Sequence, residues 1–215
     1  MAVLKKAVAP LVVGIAAMAA GILWWRRESE RRPLPCPSQF SWLLENPFMD
    51  AVAGAEATLD RIGVRAGEQV LDVGSGPGRL AIPAARRVGS GGSVTAVDVQ
   101  PAMLARLWQR AESAGLTNIE TRLMDVGAGE GLEPGCFDRA WLVTVLGEIP
   151  DRERGLQAIY GALKPGGTLS ITEILPDPHY QRHKTVLELV QSAGFEPTQH
   201  WRNLFAYTQN FVKPG

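Results

Sequence analysis

Hydrophobic positions along the chain fall into two regimes. Residues 7–25, "AVAPLVVGIAAMAAGILWW", carry no charge at all. From residue 50 onward, helical and strand-like periods alternate. Val52, Ala55, Leu59 and Ile62 share one helical face over 51–62. The pattern then predicts strand 69–74, helix 78–88, strand 93–99 and helix 101–114, with Pro101 in its first turn. Strands 119–125 and 137–145 follow, then helix 152–163, strand 167–174 and helix 182–193. Two strands near 196–202 and 204–213 close the chain.

Continuous apolar strands separated by helices call for a parallel sheet covered on both faces, a doubly wound α/β fold. The last two strands have no helix between them, so they form a hairpin and one strand runs antiparallel. Ligands of such sheets bind beyond the carboxyl ends of the strands, near the point where strand order reverses. Acids punctuate that edge: Asp72, Asp98, Asp125 and Glu173.

The first predicted strand runs into "VLDVGSGPG", residues 70–78. A dinucleotide-binding turn has Gly-x-Gly-x-x-Gly. Here Gly74, Gly76 and Gly78 alternate, and Arg79 stands where the third glycine belongs. Pro77 removes a backbone donor that a pyrophosphate would use, and Asp72 repels phosphate. A cofactor with a cationic head fits better. S-adenosylmethionine has an ammonium, a sulfonium, ribose hydroxyls and an adenine. Asp98 is placed for the ribose and Asp125 for the adenine amino group.

With these residues the chain resembles the class I S-adenosylmethionine-dependent methyltransferases over residues 50–213. "VLDVGSGPG" is similar to their first motif and "VTAVDVQPAML" to their acidic-loop motif. "RLMDV" resembles the adenine-contacting turn, and "LKPGGTLSITE" the turn into the fifth strand. The resemblance implies a Rossmann-like, mostly parallel seven-stranded sheet. It also implies that Asp72 and the backbone of Gly74, Ser75, Gly76 and Gly78 hold the methionine part. Asp98 would bind ribose, Val99 and Met103 would flank adenine, and Asp125 and Val126 would read its edge. No metal is obligatory for such a transfer.

Charge and composition refine the picture. Of 22 basic residues, six lie within the first 32 positions, against two of 22 acidic residues, so the rest holds 16 basic and 20 acidic. A mildly acidic domain is a poor non-specific nucleic-acid binder, and no nucleic-acid partner is expected. Cys36 and Cys136 match neither a disulfide framework nor a metal spacing. The uncharged run spans about 28 Å at 1.5 Å per residue, close to a bilayer core. Lys5 and Lys6 flank one end; Trp24, Trp25, Arg26 and Arg27 flank the other. A cleaved signal peptide competes, with Ala17–Met18–Ala19 as its small-x-small site. The run's continuation to Trp25 and a cytosolic cofactor favour an uncleaved single-pass anchor, with the domain facing the cytoplasm. The organisation expected is an anchor over 1–27, a linker and aromatic amphipathic segment over 28–50, and the cofactor domain over 51–215. In the linking segment, Phe40, Trp42, Leu43, Leu44 and Phe48 suit either a helix packed on the domain or a cover touching the membrane.

Methyl transfer from a sulfonium is an in-line displacement, and alignment dominates it. A phenol or thiol acceptor also needs a base near its proton. Glu148, Glu173, His179 and Tyr180 are the candidates, at the ends of the fourth and fifth strands. Each has a plain alternative: a helix cap for Glu148, a surface loop for His179, packing for Tyr180. A tethered domain meets lipids and quinones at high local concentration, so a lipid or lipophilic small molecule is the expected acceptor. A membrane-bound protein acceptor, or a non-catalytic cofactor-binding subunit, is the alternative.

Overall fold

The structure, a computed structural model, describes residues 54–175 and 177–215. The aromatic segment and the run 7–25 lie outside the described residues. No helix among the described residues is long and apolar enough to cross a membrane.

Among the described residues there are five α-helices and seven strands: α1 (Ala55–Ile62), β1 (Gln69–Val73), α2 (Ala81–Val88), β2 (Ser93–Asp98), α3 (Pro101–Ser113), β3 (Ile119–Leu123), β4 (Phe137–Val143), α4 (Arg152–Ala162), β5 (Leu163–Ile174), α5 (His183–Ser192), β6 (Glu196–Arg202) and β7 (Ala206–Val212). The sheet order is β3-β2-β1-β4-β5-β7-β6. Strands β1 to β5 pair in parallel, and β7 runs antiparallel to both β5 and β6. The chain leaves β1 toward β2 and returns on its other side as β4, so strand order reverses between β1 and β4.

Alternation along the strands builds two cores. Leu71, Val73, Leu142 and Ile171 face α4 and α5, against Leu156, Ile159, Val186 and Val190. Val70, Val94, Ala96 and Trp141 face α1 to α3, against Leu59, Ile62, Ala84 and Leu107. The edge opposite the expected site is closed by polar groups. Arg139 pairs with Glu68 at 2.8 Å and donates to the Ile62 carbonyl at 2.9 Å.

Several element ends differ from the sequence pattern, each for a local reason. Helix α4 stops at Ala162 and β5 starts at Leu163, four residues early, because Pro165 disfavours helical backbone at the residue before it. β4 ends at Val143, since Thr144 adopts φ 58°. β3 ends at Leu123, and Asp125 caps a short 3-10 turn over Val126–Ala128. Helix α2 begins at Ala81, because Gly78 at φ 91° cannot be helical.

Candidate functional site

The carboxyl edge of β1, β2 and β4 is organised around the glycine turn. Gly74 and Ser75 both donate backbone N–H groups to the Val97 carbonyl, at 2.8 and 3.0 Å. This folds the turn back over β2. Gly74 sits at φ 70°, and a Cβ there would lie 2.4 Å from Val145 Cγ2. Position 74 therefore requires glycine on both backbone and steric grounds. Gly76, by contrast, has open space where a side chain would be, so the turn presents bare backbone.

Two expected acids converge on this turn. Asp98 is buried at the end of β2; its Oδ2 accepts from Gly76 N at 2.9 Å and its Oδ1 from Gln100 N at 2.9 Å. Burial nevertheless holds its pKa above the ordinary carboxylate value. Asp72 is 3% exposed, and its Oδ2 is buried with no hydrogen-bond partner. Desolvation pushes its pKa up to about 7, opposed by the nearby Trp141 indole and Arg79 and reinforced by Asp98. The indole acts on Asp72 from outside hydrogen-bond geometry, since Trp141 Nε1 also lacks a partner. A buried carboxylate oxygen without a partner is costly unless a cation meets it. An ammonium beside the bare turn is such a cation, so these residues fit an aminoacyl cofactor with a positive head.

The adenine candidates are less uniform. Met103 and Val126 are buried, while Val99 is exposed. Asp125 is exposed, and its Oδ1 accepts from Gly127 N at 2.9 Å.

Of the proton-acceptor candidates, Glu173 and Tyr180 lie on the opposite sheet face, and Glu148 and His179 lie in loops that meet at the carboxyl edge. Asp72 alternates with Leu71 and Val73, onto the Trp141 side; Glu173 alternates onto the Ile171 side, toward α4 and α5. Glu173 is 1% exposed, with Oε2 accepting from Gln181 N at 3.0 Å and Oε1 unpartnered. Burial pushes its pKa up to about 8, helped by Asp177 and Glu148 and opposed by the Gln181 hydrogen bond and Arg152. Asp177 is itself pushed to about 6 by burial. Glu148 is half-buried in the 3-10 turn Leu146–Glu148 and does not cap α4; Asp151 does, accepting from Arg154 N at 3.0 Å. His179 is buried, not a surface residue. Tyr180 packs against the core, edge-on to Tyr207 with ring centroids 6.0 Å apart. The loop 177–181 presses so closely on the turn after β4 that a Cβ on Gly147 would lie 2.0 Å from the His179 carbonyl. Glu148, His179 and Tyr180 thus belong to one shell with Glu173, Arg152 and Gln181.

The sequence did not disclose Thr144. Its φ of 58° is strained for a β-branched residue, and its N–H donates to the Thr172 carbonyl at 2.8 Å. Strain of this kind costs about 1–3 kcal/mol and concentrates at working sites. It lies at the strand-order reversal, beside Val145 and the glycine turn. On the Asp72 face, Val143, Ile174 and Ala206 form a small apolar cluster across the ends of β4, β5 and β7. Among the described residues no group of three or more His, Cys, Asp or Glu is placed to hold a metal ion.

Comparison with known proteins bears on the same residues. A family model described as "Methyltransferase domain" matches residues 70–167, from β1 into the start of β5. The nocamycin O-methyltransferase of Saccharothrix syringae is 33% identical over 124 residues, 58% of this chain and 44% of that protein. The ubiquinone biosynthesis O-methyltransferase of Pseudomonas fluorescens is 32% identical over 157 residues, 72% of this chain and 59% of that protein. The chain therefore spans about half the length of these curated relatives. A crystal structure of a SAM-dependent methyltransferase from Aquifex aeolicus superposes with a TM-score of 0.76 at 22% identity, covering 83% of this chain and 98% of that one. Fold, edge chemistry and sequence agree: residues 70–167 carry a methyltransferase domain of Rossmann-like fold, and its cofactor is S-adenosylmethionine.

Proposed function

We propose that the protein transfers a methyl group from S-adenosylmethionine to an oxygen of a lipophilic small molecule or lipid at a membrane surface. The observation that carries this reading is the apolar cluster of Val143, Ile174 and Ala206. It lies on the same sheet face as Asp72, whose Oδ2 has no hydrogen-bond partner. The two curated relatives named above are both O-methyltransferases, one of ubiquinone biosynthesis, which supports an oxygen acceptor and an apolar body. The uncharged run 7–25 supplies the membrane part of the reading: it anchors the chain, with the domain on the cytoplasmic side.

The bound cofactor supplies an activated methyl group on a sulfonium. The chain's residues position it and keep water away. Asp72 takes the ammonium. The backbone of Gly74, Ser75, Gly76 and Gly78 faces the rest of the methionine part. Each Asp98 oxygen already accepts one backbone hydrogen bond and has a lone pair left for a ribose hydroxyl. Val99 and Met103 flank the adenine, and Asp125 and Val126 border its edge. Proton removal from the acceptor falls to Glu148 and His179 where their loops meet at the carboxyl edge, with Tyr180 and Glu173 behind them.

A series of phenols with lengthening alkyl chains tests the proposal through S-adenosylhomocysteine release by the full chain. Each buried methylene is worth about 0.8 kcal/mol, roughly fourfold in kcat/KM. A rise over several methylenes is expected. A flat series, or turnover confined to short polar phenols, would overturn the lipophilic acceptor.

A further inference from the structure

The functional edge ends outward in an apolar tip. Residues 203–205 join β6 to β7, and Asn203 Oδ1 fixes the turn by accepting from Phe205 N at 2.9 Å and Ala206 N at 2.7 Å. Leu204 is 82% exposed and Phe205 42%. Leu175, just past β5, is 37% exposed and donates its N–H to the Phe205 carbonyl at 2.6 Å. Three of the six large hydrophobics exposed among the described residues therefore sit together. Polar residues close turns well, so the turn's own geometry does not call for Leu204 and Phe205.

Cations adjoin the tip. Arg202 ends β6, opposite Tyr207. Arg182 follows Gln181, whose carbonyl accepts from the Tyr207 hydroxyl at 2.8 Å, and Lys184, second in α5, is exposed and pairs with Glu188 at 3.7 Å. The tip also continues the apolar cluster on the Asp72 face, because Ala206 and Ile174 belong to that cluster and directly adjoin Phe205 and Leu175. A second copy of the chain would need about 800 Å² of each partner's surface for a stable interface, more than three side chains on a turn supply. Large apolar side chains on an exposed turn beside the exposed Arg202 suit the headgroup boundary of an anionic bilayer, where the former enter the acyl region and the latter meets lipid phosphates.

We propose that the turn 203–205, with Leu175, inserts into the surface of an anionic phospholipid bilayer and holds the functional edge against the lipid phase. This rests on the reading of a membrane-associated acceptor, and it adds a second contact far in sequence from the run 7–25. The test uses the full chain carrying Cys36→Ser and Cys136→Ser, with one nitroxide attached at Leu204→Cys. A second sample carries the nitroxide at Ser90→Cys, an exposed position in the loop between α2 and β2 at the opposite sheet edge. Both are reconstituted in phosphatidylcholine vesicles with and without phosphatidylglycerol, and collisions with oxygen and with a water-soluble nickel chelate are measured. On anionic vesicles the oxygen-to-chelate ratio at 204 should exceed that at 90 severalfold. Equal ratios would overturn the proposal, and spin–spin broadening at 204 without immersion would replace it with a second copy of the chain. Immersion is read without any acceptor. An immersed tip on a protein that methylates no lipophilic compound would fail the functional reading alone, and a water-exposed tip on a protein that does would fail this one alone.

Discussion

Acidification from pH 8 to pH 6 should weaken cofactor binding, and Asp72 should be the cause. In the cofactor-free protein its carboxyl titrates at about 7, because burial outweighs the helpful neighbours. The cofactor's ammonium favours the ionised carboxylate, so binding below pH 7 must expel a proton. Each pH unit below that value then costs close to a factor of ten, about 1.4 kcal/mol. The amino group of S-adenosylhomocysteine, beside its own carboxylate, stays protonated through pH 8, so affinity should level off at an optimum there. Asp72→Asn removes the charge. It should weaken binding at the optimum by about 1.5–3 kcal/mol, the worth of a hydrogen bond to a charged group, and it should flatten the acid limb. Calorimetry with S-adenosylhomocysteine, in buffers of different ionisation enthalpy, reads both affinity and proton release. An acid limb as steep in the Asn variant as in the parent, or no proton release at pH 6, would refute the reasoning. The same shift acts on folding. Because the folded carboxyl holds its proton more tightly than the unfolded one, this stabilisation is complete below about pH 4 and is lost as the pH rises through 7. A rise from 3.8 to about 7 corresponds to a change on the order of 4 kcal/mol. Asp72→Asn should thus melt higher at pH 8 and unchanged at pH 4, while binding the cofactor worse.

Three further outcomes follow from the geometry. Asp98→Ala should weaken cofactor binding by about 1–3 kcal/mol, since it removes charge-assisted bonds and frees the Gly76 and Gln100 amides; unchanged affinity by calorimetry would remove Asp98 from the site. Gly147→Ala should displace the loop 177–181, because its Cβ would meet the His179 carbonyl; kinetics should show impaired acceptor turnover with cofactor affinity within about twofold, as expected when the displaced group serves only the acceptor. Glu173→Gln should raise the melting temperature at pH 8 and above and leave it unchanged near pH 4, because the buried carboxyl titrates at about 8, well above its ordinary value of 4.5.

Much of the fold was legible because its signals are local. Strands β1, β2 and β4 are apolar on both faces, the glycine turn marks the first crossover, and Asp72 and Asp98 end their strands where the pattern put them. What failed to show in the sequence depends on contacts across the fold. Pro165 marks where α4 must stop, but only pairing of Leu163 with Phe137 shows that β5 starts there. His179 reads as a loop histidine because its neighbours are turn residues; its burial comes from the close approach of the loop to Gly147. Asp151 caps α4 and leaves Glu148 for the shell around Glu173, a choice between two acids three residues apart that composition does not make. Thr144 carries no mark in the sequence, since a positive φ at a threonine is imposed by its surroundings.

Methyl transfer to an oxygen of a lipophilic compound is decided by the partition of a labelled methyl group. The full chain is incubated with methyl-labelled S-adenosylmethionine and a total membrane fraction, and the products are divided into solvent-extractable and protein-bound material. Label should appear in the solvent extract, as an ether stable to mild alkali or an ester labile to it. Label confined to protein, or no transfer while the cofactor still binds, would contradict it.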